Sequence, residues 1–104
     1  MEWFKKIIAA HKAVTDSVSH SERIKSDRYF VWQEEGSADF IADGRHAEKA
    51  IVGTTDLFTK IEFDPWKEEF EKALDDFKIP WELLSVDHEE DTGFYHYEWE
   101  WTVT

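Results

Sequence analysis

His88, Glu89 and His96 are the residues whose types most directly suggest chemistry, because two imidazoles and a carboxylate are a donor set for a divalent metal. They flank one turn, Glu90-Asp91-Thr92-Gly93. Pairing across that turn sets His88 opposite Tyr95 and Asp87 opposite His96, so the two imidazoles do not face each other. A third ligand would have to come from elsewhere, and solvated turn histidines are the simpler reading. Asp87, Glu89, Asp91 and Glu98 fall at positions 1, 3, 5 and 12 of a notional calcium loop, but Thr92 stands at position 6 where glycine belongs. The flanks also read as strands, which excludes an EF-hand. The serines and threonines lack a nucleophile elbow, and the glycines build no phosphate cradle. Asp56 with its neighbouring threonines could make a polar site, although such residues more often satisfy their own backbone. The sequence therefore assigns no catalytic residue, no metal ligand set and no cofactor, and it reads as a non-enzyme.

The element that must organise everything else is the C-terminal stretch, residues 94–104. Tyr95, Tyr97, Trp99, Trp101 and Val103 alternate with Phe94, His96, Glu98, Glu100 and Thr102, the period-2 signature of a strand with one apolar face. Four large aromatics in one stripe demand a cover. Residues 2–18 supply one, because Trp3, Phe4, Ile7, Ile8, His11, Val14 and Val18 recur at helical spacing. Residues 19–27 read as a polar connection. Residues 28–34 read as a strand with apolar groups on both faces, Phe30 and Trp32 against Tyr29 and Val31. Glu35-Gly36-Ser37 and Asp43-Gly44 are turn signals that divide residues 28–52 into a three-stranded meander. Gly53 permits a bulge, with the strand continuing past it. The second helix opens at Asp64 as N-cap with Pro65 in the first helical position, and Trp66, Phe70, Ala73, Leu74 and Phe77 form its apolar stripe. Pro80 ends it. Residues 81–88 form a strand with Leu84 and Val86 on one face and Trp81 and Leu83 on the other. The expected fold is α+β: an antiparallel five-stranded sheet with two helices packed on one face, in the order α-β-β-β-α-β-β.

A chain of 104 residues makes one domain, 1–104, and with 41% hydrophobic residues it can build a core. There is no cysteine, which removes disulfides and thiolate metal sites. Lys5, Lys6, His11 and Lys12 interrupt any signal-peptide core, and no apolar run reaches the length of a membrane span, so no membrane association is expected. The formal net charge is −12, from 24 acidic and 12 basic residues. That balance argues against phosphate-neutralising nucleic-acid binding. It fits a solubilising surface, one that repels DNA, or one that imitates it.

Four strings in this chain resemble small tail-completion proteins of prophages and tailed phages. They are Val31-Trp-Gln-Glu-Glu-Gly-Ser-Ala-Asp-Phe-Ile-Ala-Asp-Gly-Arg-His-Ala-Glu-Lys49, Gly53-Thr-Thr-Asp-Leu-Phe-Thr-Lys60, Phe63-Asp-Pro-Trp66 and Thr92-Gly-Phe-Tyr-His-Tyr-Glu-Trp99. Such proteins are similar in organisation to the tail terminators of long-tailed phages. The resemblance implies a virion tail component, made in the bacterial host cytoplasm, that caps the tail tube as a homo-hexameric ring. It implies the tail-tube protein and head-tail connector proteins as partners, and it leaves a monomer open as the free state. It carries no catalytic signature. The interaction loops expected on this reading are Gly53, Thr54, Thr55, Asp56, Leu57 and Phe58, together with Glu89, Glu90 and Asp91. A head-closure or neck role, or an acidic DNA mimic that inhibits a host nuclease, are the competing readings.

Overall fold

The computed structural model describes residues 3–42 and 45–104, and the side chains of 3–36 and 50–104. Helix α1 (Trp3–Lys12) is followed by strands β1 (Val18–His20), β2 (Arg28–Ala42) and β3 (Arg45–Thr59). Helix α2 (Trp66–Asp76) and strands β4 (Trp81–His88) and β5 (Tyr95–Val103) complete the chain. The strands form one sheet in the order β1-β2-β3-β5-β4.

The sheet is mixed, which corrects the antiparallel expectation. β1 runs parallel to β2, with Val18 opposite Phe30, while the other pairings are antiparallel. The helix expected over residues 2–18 stops at Lys12. Beyond it, the Thr15 hydroxyl accepts the Ser17 amide at 3.0 Å, the local side-chain bonding that competes with a helix. Ser17 then hands its carbonyl to Phe30. Residues 18–20 are thereby drawn onto the sheet edge, and the connection 21–27 crosses the face away from the helices.

The expected meander is a hairpin of two fifteen-residue strands. Glu35-Gly36-Ser37 does not turn the chain. The register shifts between Glu34 and Gly36, so the extra residue is absorbed as a β-bulge. The Asp43-Gly44 turn lies outside the described residues. A bulge between Leu83 and Ser85 corrects the facing read for β4. Leu83 pairs with Trp99 and Val86 with Tyr97, so Val86 shares the face of Trp81 and Leu83 and Leu84 is the extra residue.

Both helices pack on one face of the sheet. The aromatic stripe of β5 meets them there: Trp99 and Trp101 are fully buried with Phe30, Phe70, Leu57, Leu74 and Ile7. Phe70 sits 5.0 Å from both Phe30 and Trp99, ring centre to ring centre. The polar edges of these rings are matched too. Trp99 donates its indole N–H to Glu71 at 3.0 Å and Trp81 donates to Asp75 at 2.8 Å, so acids of α2 hold strands β5 and β4. On the other face Tyr29, Val31 and Phe58 form a smaller cluster against Phe94, with the Arg23 guanidinium 4.0 Å over the Phe58 ring.

Asp64 fixes where α2 begins. Pro65 already has helical angles, φ −63 and ψ −15, and the Trp66 amide donates to Asp64 Oδ1 at 2.9 Å. The buried carboxylate also takes a two-pronged Arg28 contact at 2.6 and 2.8 Å and the Thr59 hydroxyl at 2.7 Å. Arg28 in turn lies 3.7 Å over the Trp66 ring. Burial pushes the Asp64 pKa up, but the bonds from Arg28, Trp66 and Thr59 outweigh it and hold the carboxyl below its ordinary 3.8. Arg28→Met should cost about 3 kcal/mol of unfolding free energy near neutral pH, the low end for breaking a buried pair. A depressed carboxyl stabilises above its unfolded pKa and loses that contribution as pH falls through the folded value. The gap between wild type and variant in urea titrations should therefore narrow as the pH falls below the ordinary carboxyl value of 3.8.

Candidate functional site

Residues 53–58 are not a loop. They lie within β3, flanked by β2 on one side and β5 on the other. Gly53, Thr54, Thr55, Leu57 and Phe58 are buried, and Asp56 alone reaches the surface. Gly53 is required where it stands: a Cβ there would come within 2.3 Å of the Trp101 ring and 2.6 Å of the Gln33 carbonyl oxygen. Thr55 lies at the centre of a buried polar relay. Its hydroxyl oxygen accepts the Trp101 indole N–H at 2.8 Å, and it stands 2.9 Å from Nε2 of His11. Nδ1 of His11 stands 2.7 Å from the Ile7 carbonyl, which can only accept. Nδ1 must then carry the proton, and Thr55 donates to Nε2. Burial pushes the His11 pKa down to about 4, against a smaller upward pull from its bond to Ile7.

Glu89, Glu90 and Asp91 do sit in the β4–β5 turn. The Glu89 amide donates to the Phe94 carbonyl at 2.8 Å, and Gly93 takes φ +77, the left-handed angle that closes the turn. Lys60 donates to the Thr92 carbonyl and lies 4.3 Å over the Phe94 ring, which ties the turn to the end of β3. The strand register matches the one read from the sequence, His88 with Tyr95 and Asp87 with His96.

The face of the sheet opposite the helices collects the acids of the central strands. Asp56 pairs with Glu98, and Glu100 with both Thr54 and Glu82, while Asp87 lies across from His96. His96 stacks 4.3 Å from Phe58 and bonds Asp56 at 2.9 Å. That bond raises the His96 pKa, burial lowers it, and the charges of Asp56, Glu89 and Glu98 add to the rise. Glu98 is pushed up by burial first and by Asp56 next. His88 is occupied by stacking on Tyr95 at 4.4 Å. Among the described residues no three His, Cys, Asp or Glu side chains are placed to hold a metal. No helix among them is long and apolar enough to cross a membrane.

One feature was not legible from spacing. β3 pairs with β5 only from Ile51 to Thr59, so residues 45–50 pair with β2 alone. β2 and β3 thus leave the body as a two-stranded arm, and the molecule measures 50 Å along one axis against 23 and 21 Å across. A ribbon of two strands is at best marginally stable by itself.

No protein-family model and no curated protein matches the chain. A solved structure does. A chain of the virion of a native gene transfer agent particle shares the fold with a TM-score of 0.54, over 96% of this chain and 88% of that one, at 11% sequence identity. At that identity the likeness is one of fold.

Two measurements check the buried geometry. Gly53→Ala should lose about 1–3 kcal/mol in denaturant titrations, because Trp101 and the β2 backbone must give way. The His11 imidazole, neutral when folded, should make stability fall by about 3 kcal/mol between pH 6.5 and pH 4, where only the unfolded chain is protonated. His96 has the opposite sign. Its raised pKa contributes stability below 6.5 that fades as pH rises through the folded value. A His11→Met variant should lack the acid slope and keep the His96 one.

Proposed function

We propose that this chain is a non-catalytic structural protein of a phage-like particle, a subunit of a ring that caps the tail tube and contributes to the head-tail joint. The observation that carries the reading is the mutual coverage with the gene transfer agent virion chain, 96% of one and 88% of the other. The likeness therefore concerns a whole subunit and not a shared substructure. The sequence strings that resemble tail-completion proteins point the same way.

Two physical features support an assembling role. The two-stranded arm has no partner in its own chain among the described residues beyond the point where β5 ends. Packing against neighbouring subunits gives such a ribbon the support that two strands lack alone. The net charge of −12 suits a ring through which DNA slides, since carboxylates repel phosphate. Head-to-tail contacts that close on themselves build such a ring. Its partners are the tail-tube protein and the head-tail connector proteins, and its place is the virion tail after synthesis in the host cytoplasm. Asp56 and the turn residues Glu89, Glu90 and Asp91 are the members of the expected contact set that reach the surface. The buried members of that set act through the core.

A head-closure or neck position in the same particle is the nearest variant. The acidic sheet face favours one further reading, an inhibitor that presents carboxylates to a basic host nuclease. Light scattering on the purified protein, alone and with tail-tube protein encoded beside it, separates these. A hexamer, or a monomer that joins tubes and limits their length, is the expected result. A monomer indifferent to tubes that blocks a nuclease overturns it.

A further inference from the structure

His96 has a carboxylate at each ring nitrogen. Nε2 stands 2.9 Å from Oδ1 of Asp56 on β3, and Nδ1 stands 3.8 Å from Oε2 of Glu89 in the β4–β5 turn. A carboxylate can only accept, so both approaches are favourable only when both nitrogens carry protons. The neutral ring has one N–H. If it keeps the shorter bond to Asp56, the bare lone pair of Nδ1 faces the Glu89 carboxylate, and that approach turns repulsive.

Glu89 is also the hub of the turn. Its other carboxylate oxygen accepts the Thr92 hydroxyl at 3.0 Å, and that hydroxyl accepts the Phe94 amide at 3.2 Å. Its backbone carbonyl accepts the Gly93 amide at 2.7 Å. The Phe94 ring meets Phe58 edge-on at 6.0 Å, and Phe58 stacks on His96 at 4.3 Å. The contacts thus run in a closed circuit from His96 through Glu89, Thr92, Phe94 and Phe58 back to His96. The link from His96 to Glu89 is the one that needs both ring protons.

The charges around the ring come from each neighbouring element. β3 supplies Asp56, the turn Glu89, β4 Asp87 across from His96, and β5 Glu98 two residues on. Against them stands the Arg23 guanidinium of the 21–27 connection, over the Phe58 ring and bonded to the Tyr29 phenol of β2. Arg23 stays charged throughout and does not follow the pH. Lys60 is engaged by the Thr92 carbonyl and the Phe94 ring. The acids favour the imidazolium, and the His96 pKa is raised, by its bond to Asp56 first. We propose that His96 is a proton-operated clasp for the β4–β5 turn. Doubly protonated, it ties Glu89 to Asp56 and closes the turn on the sheet, and on losing a proton it releases Glu89. The clasp stands apart from the ring reading, and it decides whether Glu89, Glu90 and Asp91 meet a partner as a fixed or a mobile group.

Nuclear magnetic resonance on the whole chain tests this without any substitution. The His96 ring signals give its titration, and nitrogen relaxation gives the order of the turn amides. Order parameters at residues 90–93 should stand at about 0.85 below the His96 midpoint and fall below about 0.6 above it. The two curves should share one midpoint. In Glu89→Gln the His96 midpoint should fall and the turn should lose its pH dependence. Asp56→Asn offers an amide that can donate to Nε2, so the neutral ring can keep its proton on Nδ1 for Glu89. In that variant the turn should stay ordered at high pH. Turn order unchanged across the His96 titration, or a midpoint that Glu89→Gln leaves in place, overturns the proposal. So does an Asp56→Asn turn that still loosens as His96 deprotonates.

Discussion

The hydroxyl of Thr55 is the one polar group around which the aromatic core is arranged. It lies at zero exposure in β3, takes the Trp101 N–H from β5 and gives its own proton to His11 from α1. Each group in the relay has one geometry that leaves nothing unpaired, and no described buried side-chain nitrogen or oxygen lacks a partner. Apolar packing alone would tolerate small slips of α1 along the sheet. A buried relay does not, because a displaced imidazole leaves two unpaired groups at about 1–3 kcal/mol each. His11 therefore fixes the register of the helix. His11 must stay neutral for this to hold, which is why the relay is the acid-sensitive point of the fold.

The acidic excess has two separable roles. Glu71 and Asp75 accept indole protons from Trp99 and Trp81, and Asp64 closes the start of α2 with Arg28. These carboxylates are structural, and their charge is used inside the molecule. Asp56 of β3, Glu82 of β4 and Glu98 and Glu100 of β5 share the face of the sheet opposite the helices, to which β4 and β5 contribute no lysine or arginine. Crowding there is eased by His96, drawn toward its charged form by Asp56, and by the upward drift of the Glu98 pKa. Solubility alone does not require this division.

What could be read from the sequence was whatever depends on neighbours in the chain. The β5 stripe, the Asp64-Pro65 start of α2 and the pairing across the 90–93 turn all follow from local spacing, and the structure has each of them. β1 was missed because three residues, Val18-Ser-His, show no alternation, and the helical spacing of Val14 and Val18 ran on past the true end of α1. Gly36 looked like a turn because composition cannot distinguish a turn from a bulge. Here the strand continues because β3 offers a partner through the whole length. Residues 53–58 do continue as strand, as their spacing suggested, but nothing local marks them as buried. Gly-Thr-Thr-Asp is a polar string, yet Gly53 is there to admit the Trp101 ring and Thr55 to serve residues 44 and 46 positions away. Contacts of that range leave no mark in local spacing. His11 did leave a signal, a histidine in the middle of an apolar helical stripe, but its partner could not be named from the sequence.

The edges of the sheet limit how copies of this chain can meet. β4 is bulged at Leu84 and carries Glu82 and Asp87, the devices that discourage strand-to-strand pairing. β1 is three residues long and offers little backbone to a newcomer. A continuous sheet running from subunit to subunit is therefore disfavoured at both ends. Side chains are left to make the contacts, with the β2–β3 arm as the only long stretch of paired backbone that extends beyond the body among the described residues. Contacts of that kind are specific in shape and modest in area, and like charges on the open faces oppose random stacking.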